Sequence, residues 1–150
     1  MTAHAEVSLN RLAASATTHC LTGCAIGEVL GFIIGTALGW SDFQTIAIAV
    51  VLAFFFGYLL TLRPLVKSMS FASAAKLALA ADTASITVME IVDNAIMLVI
   101  PGAMSAGLDS GLFWGSLAAS LAIAGLAAFP VNRWLIARGS GHAVVHSHHK

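Results

Sequence analysis

Charge is what this sequence has least of. Of its 150 residues only 9% are Asp, Glu, Lys or Arg, against 59% hydrophobic, where soluble domains carry roughly 25% charged residues. So small a supply excludes an ordinary water-soluble globule. The seven basic residues are scattered and form no patch that would hold nucleic acid. Three prolines, Pro64, Pro101 and Pro130, leave long segments free to run as helix. Two cysteines, Cys20 and Cys24, stand one helical turn apart. Helical residues at that spacing keep their Cβ atoms about 5–6 Å apart, beyond the roughly 3.5–4.5 Å of a disulfide, so no cross-link is expected. A nucleophile paired with a base is absent, as is any cofactor fingerprint, and no enzyme is expected.

What the chain does have is length of apolar sequence. Four stretches, about 14–39, 43–62, 72–100 and 112–137, reach the roughly 20 residues that cross a bilayer. The first is too long for a secretory signal and lacks a small-residue cleavage site, so it reads as a retained helix after a mobile polar lead, residues 1–10. The expected fold is all-α: a polytopic membrane protein with four transmembrane helices in an antiparallel bundle. That domain covers 1–138, and 139–150 forms a flexible histidine-rich tail. Arg11, Arg63, Lys67, Lys76, Arg133, Arg138 and Lys150 are all the basic residues. Each falls on one side of such a bundle, which by the positive-inside rule places both termini in the cytoplasm.

The first segment carries groups that lipid excludes. Residues four apart share a helix face, so Cys20, Cys24 and Glu28 form one stripe of two thiols and a carboxyl, with His19 beside it. Gly23, Gly27, Gly31, Gly35 and Gly39 recur at every fourth position, a pattern that admits another helix at close range, from the same chain or from a second copy. Gly39-Trp40-Ser41-Asp42 then ends the helix, and so short a connector makes the next helix an antiparallel neighbour. That second helix has Phe54, Phe55 and Phe56 and no charge from Ile46 to Leu60. It reads as a lipid-facing scaffold stopped by Arg63-Pro64.

The third segment is its opposite, holding Asp82, Glu90, Asp93 and Asn94. A charge at bilayer depth costs at least about 2.5 kcal/mol on insertion scales, so partners are required. At about 100° per residue, Asp82, Met89, Glu90, Asp93 and Met97 occupy one sector of the helix. Counting from the cytoplasm puts Asp82 level with Cys24 and Glu90 somewhat deeper than Glu28, so the two polar stripes are expected to form one cluster. The fourth segment offers Gly115, Ser116, Ala119, Ser120, Ala122 and Gly125 for helix packing, with a kink point at Phe129-Pro130.

Two chemistries compete for these residues. Cys20, Cys24, His19, Glu28 and Met89 make a transition-metal ligand set. Thiolate and thioether select copper(I), while zinc would recruit the histidine and a carboxylate. The leading expectation is therefore a copper(I)-binding membrane protein, a metal carrier coupled to the protons its thiols release. His142, His146, His148 and His149 would be a secondary capture site. The alternative is a proton or cation transporter working through Asp82, Glu90, Asp93 and Asn94. A third reading is a non-catalytic subunit or assembly factor that docks through the glycine groove. The expected partners are the lipid bilayer and either further copies of the chain or a larger membrane complex.

His19-Cys20-Leu21-Thr22-Gly23-Cys24-Ala25-Ile26-Gly27-Glu28, Ala81-Asp82-Thr83 with Met89-Glu90-Ile91-Val92-Asp93-Asn94, and Phe129-Pro130-Val131-Asn132-Arg133-Trp134-Leu135 together resemble the bacterial membrane family called domain of unknown function 4396. The resemblance spans nearly the whole chain. It implies a small four-span protein of the bacterial inner membrane, with the cysteines, the histidine and the acids as its marked residues, and it implies no activity.

Overall fold

The computed structural model describes residues 2–138, with side chains from Leu9 onward. The histidines expected to capture metal, His142, His146, His148 and His149, lie outside the described residues. Among those described there are four helices and no strand: α1 Thr2–Leu38, α2 Asp42–Leu65, α3 Phe71–Val99 and α4 Gly111–Ala137. Helices α1 from Leu9, α2 and α4 are long and apolar enough to cross a bilayer. Helix α3 has comparable length, but its acids make it more polar. Helix α1 begins at Thr2, not near residue 14 after a mobile lead, because no glycine or proline interrupts the chain before Gly23. Helix α2 runs one residue past Pro64, whose fixed φ is itself helical.

Serines start the other three helices. Ser41 caps α2 reciprocally: its Oγ accepts from Gln44 N at 3.3 Å while Gln44 Oε1 accepts from Ser41 N at 3.1 Å, a capping box. Ser70 and Ser110 accept in the same way from Ser73 N and Leu112 N. Gly39 adopts φ +67° and has open space where a Cβ would sit. It ends α1 in the left-handed conformation that glycine adopts freely. It is therefore a cap, and the packing stripe stops at Gly35.

The remaining four glycines define the tightest contact in the molecule. A Cβ on Gly23 would fall 2.6 Å from Gly57 Cα, and Cβ atoms on Gly27, Gly31 and Gly35 would overlap Ala53, Ala49 and Thr45. The partner is thus α2 of the same chain, and two of these overlaps are with its backbone. Helix α2 is correspondingly not a plain lipid-facing scaffold. Its buried positions Thr45, Ala49, Ala53, Gly57, Thr61 and Leu65 repeat every four residues and complement the glycines. Its opposite face, with Phe43, Val51, Phe55 and Leu59, is exposed.

With α2 on one side of α1, helices α3 and α4 close the bundle on the other. Around the thiols lies an apolar cluster of Cys20, Cys24, Ala53, Ile86, Met89, Ala124 and Ala128. Nearer the connectors 39–41 and 100–110, a second cluster joins Phe32, Met97, Ala103, Phe113 and Leu117. The rings of Phe32 and Phe113 there meet edge to face at 5.1 Å. On α4, Ser116, Ser120 and Gly125 are buried as packing residues, whereas Gly115, Ala119 and Ala122 face outward.

The backbone contact makes a direct prediction. Gly27→Val should destabilise the protein by about 1–3 kcal/mol or more, the usual cost of overpacking, while Gly115→Ala, which meets open space, should leave the melting temperature unchanged. Thermal unfolding in detergent checks both, and equal melting of the two variants would remove the close α1–α2 contact.

Candidate functional site

Helices α1 and α3 run in the same direction, since each is followed by an antiparallel neighbour. The stripe that α1 turns inward is Cys20, Cys24 and Glu28, each with no exposed surface. The face that α3 buries contains Asp82, Ser85, Met89, Glu90, Asp93 and Asn94, the sector that the acids were expected to share. Burial follows from chemistry, because a polar group facing lipid finds no hydrogen-bond partner.

The stripes mesh rung by rung. At the first rung Cys20 Sγ donates to Asp82 Oδ1 at 3.6 Å, with Ser85 also beside the thiol. Asp82 is thus level with Cys20, one turn nearer the termini than expected. At the second rung Cys24 Sγ lies 3.8 Å from Met89 Sδ and borders the Glu90 carboxyl. At the third, Glu28 faces both Glu90 and Asp93. Helix α4 adds Ser120, whose Oγ donates to Asp93 Oδ1 at 2.5 Å. Asn94 Nδ2 bonds back to the Glu90 main-chain oxygen at 2.9 Å and to Glu90 Oε2 at 3.3 Å.

His19 is turned toward α2. Its Nε2 is 2.8 Å from Thr61 Oγ1, and Thr61 in turn reaches Asp82. A line of proton-bearing groups therefore runs from half-buried His19 through Thr61, Asp82 and Cys20, then Cys24 and Glu90, to Glu28, Asp93 and Ser120.

The third rung holds the unusual chemistry. Taken as carboxylates, Glu28 at both oxygens, Glu90 at Oε1 and Asp93 at Oδ2 are buried with no donor, as is Asn94 Oδ1, while Glu28 stands within hydrogen-bond reach of the Glu90 and Asp93 carboxyls, contacts that need a proton on one of the three. An ionised carboxylate only accepts, and burial of an ion costs several kcal/mol after relaxation. Three neighbouring carboxylates would add mutual repulsion. A positively charged guest removes the conflict, and a proton shared between two oxygens is the smallest. Among the described residues no three His, Cys, Asp or Glu side chains converge closely enough to hold a metal ion.

The five residues expected to form a metal shell are thus distributed over four places. Cys24 and Met89 meet, Cys20 turns to Asp82, Glu28 joins the acids, and His19 bonds Thr61. Asp82 sits at the first rung, and Glu90, Asp93 and Asn94 at the third. Ser120 and Thr61 were not among the expected site residues. Ser120 stood out only as a small residue, and Thr61 had no signal beyond its polarity near the end of an apolar helix.

The family model for Domain of unknown function (DUF4396) matches residues 9–141. Neither the curated proteins nor the solved structures contain a match.

The lack of donors at the third rung predicts a stability gain on conservative substitution. Glu28→Gln replaces an acceptor by an amide that donates to Glu90 or Asp93, so the variant should be more stable by roughly 1–3 kcal/mol, the scale of one buried unsatisfied group. Detergent unfolding curves compare it with the parent, and a lower stability would mean that the Glu28 oxygens already have partners.

Proposed function

The chain belongs to that family, and from this premise we propose a membrane carrier that moves protons through the acids gathered between α1, α3 and α4. The observation that carries the reading is Glu28, fully buried and within hydrogen-bond reach of two further acids, Glu90 and Asp93, with no donor for its oxygens unless one of the three carries a proton. Ionisable groups inside a membrane bundle mark ion and proton pathways. Each rung of the α1–α3 seam offers a group able to accept and pass on a proton.

In this reading α3 is the fourth span. Its polar face is enclosed by the other helices, while Leu79, Ile91, Leu98 and Val99 on its outer face are 51–78% exposed and meet lipid. Both termini and the basic residues then lie on the cytoplasmic side of a bacterial inner membrane, with His19 at the cytoplasmic end of the seam. A second reading is favoured by the contact of Cys24 Sγ with Met89 Sδ at 3.8 Å. Thiolate and thioether suit a soft ion such as copper(I), which would be the cargo that the protons drive. Anaerobic copper(I) loading of protein truncated after Arg138, with and without Cys24→Ser, tests it, and equal loading of the two would remove it.

Reconstituted in liposomes holding a pH-sensitive dye, the protein should take up protons when a potassium diffusion potential is imposed. Glu28→Gln should return the flux to that of empty liposomes while remaining folded. Equal flux in parent and variant would remove the proton reading. For orientation, Asp109→Cys should react with an impermeant thiol reagent from the periplasmic face of intact cells, and reaction from the cytoplasmic face alone would invert the topology.

A further inference from the structure

On three helices, one or two turns separate the acids from an apolar residue that lies nearer the connectors 39–41 and 100–110. Phe32 follows Glu28 by four residues on α1, and Met97 follows Asp93 by four on α3. On α4, which runs the other way, Leu117 and Phe113 precede Ser120 by three and seven. These four side chains are at most 3% exposed and form one cluster, with the edge-to-face pair of Phe32 and Phe113 at its centre. The connector 100–110 folds over them: Ala103 is fully buried in the cluster, and Ile100, Met104 and Leu108 pack on it. Trp114 Nε1 pins that connector by donating to Leu108 O at 2.6 Å.

The two ends of the acid cluster therefore differ. Toward the termini the line of polar groups continues to half-buried His19. Toward the connectors the bulky buried side chains that follow are apolar, with Ser116, between Phe113 and Leu117 on α4, a small polar side chain buried on that face of the helix. Beyond it lies a cavity of about 210 Å³ lined by Asp42, Met97, Pro101, Gly102 and Ser105 among others. Met97, Ile100 and Met104 are common to both, and Leu98 completes the lining of the cavity. An apolar constriction excludes water and with it protons, as hydrophobic gates do in channels.

We infer that Phe32, Met97, Phe113 and Leu117 are the closed outer gate of an alternating-access carrier, with the cavity at Asp42 and Ser105 as its outer vestibule. The acids are reached from the side of the termini in this state, and release on the far side requires the Phe32–Phe113 contact to part. The inference assigns a carrier cycle, not an open pore, to the site under the proton reading, on which it rests.

The native thiols report on the gate without any flux measurement. In oriented proteoliposomes, an impermeant maleimide added on the connector side should modify Cys24 only slowly in the parent, through the open phase of the cycle, as read by mass spectrometry. Phe32→Ser combined with Phe113→Ser should make Cys24 react faster from that side, and Leu117→Ala alone should give an intermediate rate, which keeps the test open if the double variant does not fold. Leu126→Ser, at a position 75% exposed on α4, serves as the control for general loosening and should react at the parent's rate. A Cys24 rate in every folded gate variant no greater than the parent's, or a control that reacts as fast as the gate variants, would each overturn the gate. Faster reaction confined to the gate variants, in preparations where no protein conducts protons, would uphold the gate and overturn the proton reading instead.

Discussion

Four glycines of α1 bring its backbone against α2, and the rest of the bundle is arranged around that contact. With no side chain at positions 23, 27, 31 and 35, one face of α1 is filled by Gly57, Ala53, Ala49 and Thr45 of its neighbour. The thiol and carboxyl stripe lies beside it, about 60–100° round the helix, where α3 and α4 cover it. Association between helices in lipid depends on close packing, because the tails are as apolar as the side chains. The glycine contact thus holds the α1–α2 pair together without using any polar group, and the polar groups remain for the seam with α3.

The seam itself combines two unlike environments along one axis. Its middle is a set of acids with more acceptors than donors, and its connector end is aromatic and aliphatic. Neither feature is informative alone, since buried acids can serve packing and apolar clusters are the ordinary filling of a bundle. Their sequence along the axis is what gives the site a direction. Glu28, Glu90 and Asp93 have thiols and Asp82 toward the termini but bulky apolar side chains toward the connectors, relieved there by Ser116, so the two ends of the seam are unlike.

Much of this was legible in the chain before folding. Helix number and the shared face of Asp82, Glu90 and Asp93 follow from apolar length and the 100° step, both local properties. The glycine repeat announced a close contact but not its partner. The matching repeat on α2, Thr45, Ala49, Ala53 and Gly57, was hidden because alanine and threonine are unremarkable in an apolar helix. The register between α1 and α3 was missed by a turn, since counting residues from a helix start does not fix how two helices slide against each other and the side-chain contact of Cys20 with Asp82 does. Ser120 and Thr61 join the site only through tertiary contact, which no pattern within α4 or α2 encodes. The separation of His19 from Cys20 has a similar reason. Residues 19 and 20 point about 100° apart on a helix, so His19 faces α2 while Cys20 faces α3.

The polarity of α3 also bears on how the protein is made. On insertion scales a carboxylate at the centre of a helix costs about 2.5–3.5 kcal/mol, and α3 carries three buried acids that the apolar helices α1, α2 and α4 lack apart from Glu28. Emerging from the ribosome third in order, it meets a hairpin of α1 and α2 already joined by glycines and presenting Cys20, Cys24 and Glu28 as partners. The acids of α3 thus depend on partners that precede them in the chain. A chain lacking α1 would keep α3 but lose Cys20, Cys24 and Glu28, the side chains its acids face.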